Sequence, residues 1–378
     1  MRRNPVSLVA WGHPRNPHTF SGAALHVANA LHRANLLRSE YDAKILRPSD
    51  ILRGAYSLAR LRSMLTAPSK FKWPSRRWIW SRAGSEILSK RLSQRIRRAG
   101  DRGPFLQIGT LVRIDEDLGP HFMYTDMTIA QARRAQRFKI SELSDDALDE
   151  AEAIQRKRID EAEHIFCLSQ WCADSLIEDC GAAPDKVTVV YAGSNLNLPA
   201  GVQQERSEHE ILFVGIDWER KGGPLLLEAF RHVREAIPDA VLTIVGSTPK
   251  TDQPGVNVEG FLSKRAPESH HRLAKCYLRA TCFCLPTLFD PFPIAILEAA
   301  SVGLASVAID NGSRREAVVD GETGLLIRDA DPAQLAEALI WMLSNPDQAY
   351  AMGAAARARV TTRFTWDAVV ERIFAAAQ

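Results

Sequence analysis

The sequence predicts an α/β protein made of two doubly wound, parallel-sheet domains, and three observations predict it. At 378 residues the chain exceeds the size at which one hydrophobic core keeps growing, so two domains are expected. Short apolar runs alternate with helical segments of about ten to fifteen residues, the signature of parallel strands in right-handed βαβ units. A polar, aperiodic stretch, Leu198 to Ser207, interrupts the alternation near its middle, as an interdomain linker would. Such sheets bind ligands in a cleft at the carboxyl ends of their strands.

Taken in order, the N-terminal half offers strands at Val6–Trp11, Phe105–Ile108, His121–Thr125, His164–Leu168 and Val187–Tyr191. A charged helix, Asp145 to Glu163, lies between the third and fourth, with Ala147, Ala151 and Ile154 on one face and Ser144 as its N-cap. After the linker the pattern restarts. Strand Ile211–Val214 leads into a helix over Gly222–Glu235, then come strands Ala240–Val245 and Val256–Val258. A helix over Glu268–Ala280, strand Cys282–Leu285, a helix over Ile294–Val302 and strand Ala305–Ile309 follow, with further helices to the end.

Composition excludes several classes. The chain is 46% hydrophobic and 25% charged, ordinary for a globular protein. No run of eighteen apolar residues exists, so no membrane-spanning helix is expected. The apolar run after Met1-Arg2-Arg3 is too short for a signal peptide, which points to a cytoplasmic protein. The six cysteines form no CxxC pair and join no His at metal-ligand spacing, so they read as reduced core residues.

The net charge of +3 conceals an asymmetry, because residues 51–103 hold 14 Lys and Arg against only Glu86 and Asp101. Within that stretch Lys70, Lys72, Arg76 and Arg77 interleave with Trp73, Trp78 and Trp80. Cations with tryptophan suit the surface of an anionic membrane at its inner face. The alternatives are a nucleic-acid backbone, which no zinc-finger or RNP motif supports, and a solvated basic helix pair with Trp in the core.

Two segments carry chemistry. In Ile211 to Gly223 a strand ends at Gly215, a loop presents Arg220 and Lys221, and Gly222-Gly223 opens a helix. Backbone N–H groups, a helix N-terminus and cations together make a diphosphate seat. The spacing is neither GxGxxG nor the P-loop, so neither NAD binding nor ATP hydrolysis is indicated. In Phe289 to Ala300 the carboxylates Asp290 and Glu298 flank a proline-stiffened loop that enters an apolar helix. A carboxylate in such surroundings is costly unless hydrogen-bonded, and a vicinal diol supplies two donors. The bland alternative is a cap and a salt bridge. Near the N-terminus, Trp11-Gly12-His13-Pro14 leads to Gly22 at a helix start, and Asp126 ends the strand at His121–Thr125. His13, His18 and His121 read as ordinary histidines.

Set in order, Phe213-Val214-Gly215 with Lys221-Gly222, Ile244-Val245-Gly246, Glu259-Gly260-Phe261, Leu285-Pro286-Thr287, Asp290 to Glu298 and Asp320 to Leu326 resemble one family. Ile165 to Trp171, Val189 to Gly193 with Asn195, and Phe364-Thr365-Trp366 also fit. The family is the retaining nucleotide-sugar glycosyltransferases of family 4, which have the GT-B fold of two Rossmann-like domains facing a central cleft. The resemblance covers most of residues 160–378, touches 1–50 and 105–130, and omits 51–103.

It implies an N-terminal acceptor-binding domain over 1–199 with 51–103 as a basic insertion, a linker over 200–209 and a C-terminal nucleotide-sugar-binding domain over 210–363. A terminal helix, 364–378, crosses back. It implies transfer of a sugar from a nucleoside diphosphate sugar to a hydroxyl acceptor (glycan, lipid or small molecule), with retention and without metal or cofactor. By resemblance Glu298 binds the ribose, Asp290 the sugar hydroxyls assisted by backbone N–H groups of Phe292 and Ile294, Lys221 and Arg220 the diphosphate, and Leu262 the base. Gly22 lets the first N-terminal helix approach the phosphate, Gly215 belongs to the donor-binding set, and Asp126 faces the reacting centre from the acceptor side. The family usually has Glu at Asp290, Gly at Pro293 and Arg at Ile216, and a histidine near Asp126. Two other classes stay open: a catalytically inactive nucleotide- or glycan-binding module, and a basic-patch adaptor for membrane or nucleic acid.

Overall fold

The computed structural model describes residues 4–46, 78–136, 143–199, 201 and 205–377. The chain divides into two units, residues 1–190 with 370–378 and residues 191–369.

The first unit is built on a six-stranded parallel sheet in the order β2-β1-β3-β4-β5-β6. Its strands are β1 (Val6–Ala10), β2 (Leu37–Asp42), β3 (Phe105–Ile108), β4 (His121–Thr125), β5 (His164–Cys167) and β6 (Val187–Val189). Every residue of β1, β3 and β4 is buried, as in sheets covered on both faces. Around it lie α1 (Ala23–Arg33), α2 (Arg82–Arg98), α3 (Ile129–Ala135), α4 (Asp145–Glu161) and α5 (Gln170–Glu178). Ser144 caps α4 by position but its hydroxyl takes no backbone N–H.

Strand β2 is absent from the sequence reading. It is an edge strand in which Tyr41 alone is buried, so its residues carry little apolar signal. The basic stretch also differs from the expected insertion. From residue 78 it belongs to the first unit's core, where Trp78, Ile79, Leu88, Leu92 and Ile96 pack with Val9, Tyr41 and Phe105. Two of the three tryptophans therefore cover apolar core, Trp80 packing partly buried beside them. Arg82, Lys90, Arg95, Arg97 and Arg98 line the exposed face of α2. Lys70 to Arg77 lie outside the described residues.

The second unit repeats the plan with the order β12-β11-β10-β7-β8-β9, all parallel. Its strands are β7 (Glu210–Val214), β8 (Val241–Val245), β9 (Val256–Gly260), β10 (Cys282–Leu285), β11 (Ser306–Ile309) and β12 (Gly324–Ile327). Strand β12, at the sheet edge, is a further element beyond the sequence reading. The helices that bear on the site are α6 (Gly223–Ala236), α7 (Pro267–Arg279), α8 (Ile294–Ser301) and α9 (Arg314–Ala317).

In each sheet the first strand is flanked by neighbours reached in opposite directions. These topological switch points lie between β1 and β3 in one unit and between β7 and β10 in the other. Loops diverge there and leave a crevice, which is where open α/β sheets bind ligands. All six cysteines are buried free thiols. Among the described residues no helix is long and apolar enough to cross a membrane.

Candidate active site

In the second unit the two loops that leave the switch point are joined side by side. The loop after β7 passes through Gly215 to Gly222, and the loop after β10 runs from Pro286 to Pro293. Gly222 is left-handed (φ +78°), and a Cβ there would stand 1.9 Å from the Pro286 carbonyl oxygen, so only glycine lets the loops meet. Arg220 completes the join: its guanidinium donates to Asp217 at 3.1 Å and to the Phe289 carbonyl at 2.8 Å. Its own carbonyl accepts the Leu288 N–H at 3.0 Å.

This join sets Lys221 against Asp290, and the ammonium donates to the carboxylate in an ion pair. Both side chains are largely withdrawn from water, 15% and 9% exposed. The turn carrying Asp290 is held from the other side by the start of α9. Ser313 donates to the Pro291 carbonyl at 2.6 Å, and Arg314 donates to the carbonyl of Asp290 itself. Arg314 is buried, and its Nε has no hydrogen-bond partner. Burial outweighs the pull of the nearby Asp290 carboxylate and lowers its pKa to about 10.

Glu298, in the second turn of α8, is buried and carries two partners. Lys264 pairs with one carboxylate oxygen, and the Tyr277 hydroxyl donates to the other at 2.9 Å. Burial first, then the Glu298 charge, pushes the Tyr277 phenol well above its usual range, so it is a fixed donor. The site thus presents a neutralised carboxylate at each end of the Asp290–Glu298 segment.

The remaining predicted donor residues are placed less directly. Leu262 is buried two residues before Lys264. The Phe292 ring is buried beside Phe364 with centroids 6.3 Å apart, so the ring serves packing. The Ile294 N–H already bonds the Phe292 carbonyl at 3.0 Å, a local turn that occupies the donor expected to reach a sugar. Gly215 lies between Phe213 and Lys221 in the loop after β7. Ile216 is 68% exposed, where a second cation is usual in the resembling family.

The first unit contributes Gly22 and Asp126 around its own switch point. Phe20, Ser21 and Gly22 have successive φ values of 52°, 54° and 89°, a left-handed run that turns the chain into α1. Asp126 follows β4 and lines a cavity of about 410 Å³ together with residues of the β1 and β3 loops. His13 and His18 are exposed. His121 is fully buried and hydrogen-bonded to Gln107 at 3.2 Å, and burial pushes it down to about 4, so it is a neutral core histidine. Sequence reasoning missed Lys264, Tyr277, Ser313 and Arg314. Nothing in the sequence spacing distinguishes buried Arg314 from exposed Arg315.

Residues 199–359 match the family model described as glycosyl transferases group 1. Among curated proteins, the chain is 26% identical to the alpha-maltose-1-phosphate synthase of Mycolicibacterium smegmatis, over 58% of this chain and 64% of that protein. It is 28% identical to the D-inositol 3-phosphate glycosyltransferase of Corynebacterium diphtheriae, over 71% of this chain and 66% of that protein. The matches span between 54% and 66% of the length of these relatives and of a Mycobacterium tuberculosis glycogen synthase. Among solved structures, sucrose-phosphate synthase from Thermosynechococcus elongatus aligns with a TM-score of 0.68 at 16% identity, over 99% of this chain and 100% of that one. Anabaena Alr3699/HepE in complex with UDP and glucose aligns at 0.62 and 13% identity, over 98% of both chains.

Proposed function

We propose, for a chain whose residues 199–359 match the model of glycosyl transferases group 1 and whose two units have the GT-B fold, that it moves a sugar from a nucleoside diphosphate sugar to an acceptor hydroxyl with retention. The observation that carries this reading is the Lys221–Asp290 pair at the second switch point, with Arg220 and Arg314 bound to the same loop. A diphosphate offers oxygens to Lys221, and a sugar offers hydroxyls to Asp290, so one ligand satisfies both partners. Glu298 is set to accept two ribose hydroxyls. The solved neighbour in complex with UDP and glucose binds a ligand of this chemistry.

In the proposed reaction the bond from the anomeric carbon to the phosphate oxygen breaks as the acceptor oxygen bonds to that carbon. The acceptor proton passes to an oxygen of the departing diphosphate. Lys221 and Arg220 stabilise the charge that develops on the leaving group, an electrostatic contribution that needs no covalent intermediate and no metal. No residue is assigned as nucleophile. Closure over the donor would exclude water.

A ligand-induced melting screen against UDP-, GDP-, ADP- and TDP-sugars tests the reading, since a ligand at a hundredfold its Kd stabilises by about 2.7 kcal/mol. Stabilisation by none of them sinks it. Stabilisation without transfer would leave a binding module. Association with an anionic membrane from the cytoplasmic side belongs to the same proposal, supported by the basic face of α2 and the charge of 51–103. It requires salt-sensitive flotation with anionic vesicles; flotation indifferent to neutralising Lys70, Lys72, Arg76 and Arg77 counts against it.

A further inference from the structure

A hollow in the second unit, away from the loops already described, carries two arginines in its wall and, among its described lining residues, no carboxylate. One wall is a face of the helix Pro346–Arg363, on which Tyr350, Ala354, Arg357 and Ala358 keep the three-to-four spacing of side-by-side positions. The other wall is Val302 and Gly303, which directly follow α8, with Arg206 from the segment before β7. The helix lies close against this turn, since a Cβ on Gly353 would stand 2.1 Å from the Gly303 carbonyl oxygen. The small side chains of Ala354 and Ala358 leave the space beside that contact open.

Both arginines border Gly303. A Cβ built on that glycine would lie 3.6 Å from Arg206 Nη2 and 3.9 Å from Arg357 Cδ. Arg206 is fixed in place: it donates to the Gly303 carbonyl, and its guanidinium lies over the Tyr350 ring, 4.5 Å from the centroid. Burial holds its pKa below the usual arginine value. Burial therefore penalises the charge, and a nearby anion offsets that penalty. Arg357 is exposed and enters no ion pair among the described residues.

Two guanidinium groups in one hollow repel each other, and a dianion beside both removes the repulsion. Phosphate suits them better than carboxylate. Each arginine offers a planar fork to its oxygens, and a phosphate monoester carries about −1.5 to −2 charge at pH 7. At about 400 Å³ the hollow holds roughly thirteen water volumes, more than a bare phosphate fills. Val302, the two alanines and the Tyr350 ring supply apolar wall for the rest of a small ester. The donor loops precede α8, whereas the hollow follows its last residue, about 12 Å along the helix axis.

We propose that this hollow is a binding site for a small phosphate monoester, held between Arg206 and Arg357 and distinct from the diphosphate seat at Lys221. The assignment stands whether or not the chain transfers a sugar.

The test is calorimetric titration of the full chain with phenyl phosphate, inorganic phosphate and benzoate in a phosphate-free buffer. Arg357→Glu reverses one charge on an exposed side chain, and Ala358→Phe, also at an exposed position, fills the hollow. Melting temperature controls for folding. The expected result is saturable binding of phenyl phosphate, weakened about tenfold or more in both variants and kept in Lys221→Ala. Inorganic phosphate should bind more weakly, and benzoate should not saturate. Absence of phenyl phosphate binding, equal binding by wild type and Arg357→Glu, or tighter binding of benzoate overturns the proposal. Equal affinity for inorganic phosphate overturns the ester class. Binding that Lys221→Ala abolishes and Arg357→Glu leaves intact would place the phosphate at the diphosphate seat and overturn it too.

Discussion

Replacing Glu298 by Gln separates a ribose-binding carboxylate from one that merely holds the fold, because the two roles have different magnitudes. The Tyr277 hydroxyl donates to Glu298 at 2.9 Å in a buried setting. Such a bond to a charged acceptor is worth about 1.5–3 kcal/mol, and Gln keeps an oxygen that recovers part of it. Lys264 pairs from a side chain 36% exposed, so solvent screening limits its share to about 1 kcal/mol or less. The stability cost should thus be roughly 1–2 kcal/mol. Binding should suffer more. An amide offers one acceptor where two ribose hydroxyls need a carboxylate, a loss of about 2–4 kcal/mol, or roughly thirty- to several-hundred-fold in Kd. The assay is calorimetric titration with the nucleoside diphosphate that most stabilises the wild type, repeated with its 2′,3′-dideoxy form. Wild type should lose affinity for the dideoxy ligand, and Glu298→Gln should be indifferent to the change. An affinity within about twofold of wild type, accompanied by the stability loss, would refute the ribose role and leave Glu298 as a structural anchor.

Other expectations follow from the same geometry. Lys221→Ala should slow transfer by about 2–4 kcal/mol in activation free energy, as for one strong transition-state donor; near-wild-type turnover removes it from the diphosphate. Arg314→Lys keeps a cation but loses the fork that holds the Asp290 carbonyl, so turnover should drop by about tenfold while nucleoside diphosphate affinity stays. Equal loss in both would mark general destabilisation rather than positioning. His121 is neutral when folded until pH nears about 4, whereas an unfolded histidine protonates below about 6.5. The unfolded chain therefore binds more protons between those values, and stability that is full above 6.5 drains by at most about 3 kcal/mol as pH falls toward 4. Denaturant melts of His121→Gln should show a flatter slope in that window, and an unchanged slope would contradict the assignment.

The second unit is the more legible half because its central strands, β7, β8, β10 and β11, are almost wholly buried and its punctuation is glycine and proline. Strand β10, the Asp290–Glu298 segment and the Lys221-Gly222 helix start lie where the alternation placed them. What stayed hidden depends on distance along the chain. Lys264 and Tyr277 reach Glu298 across 34 and 21 positions, and no periodicity links such partners. Strand β2 hid for the opposite reason, being an edge strand with one buried side chain and so too polar to stand out. The sequence groups the tryptophans at 78 and 80 with their cationic neighbours, whereas Trp78 serves the core and Trp80 the wall of the first unit's cavity. Composition alone cannot say which face of an amphipathic segment a tryptophan takes.

The pairings in the second unit bear on why Asp stands where the resembling family has Glu. The Asp290 side chain is one methylene shorter, yet it still meets Lys221, because Arg220 and Arg314 both tie the loop around it by main-chain carbonyls rather than by the carboxylate. The loop is thereby held by its main chain, and the carboxylate pairs with Lys221. Removing one partner of such a largely buried pair costs about 3–5 kcal/mol when nothing replaces it. A ligand offering phosphate oxygens alone would take Lys221 and strip Asp290, and a sugar alone would do the reverse. A nucleoside diphosphate sugar supplies both replacements at once. In the proposed reading the ion pair therefore favours the intact donor over a fragment that replaces one partner alone.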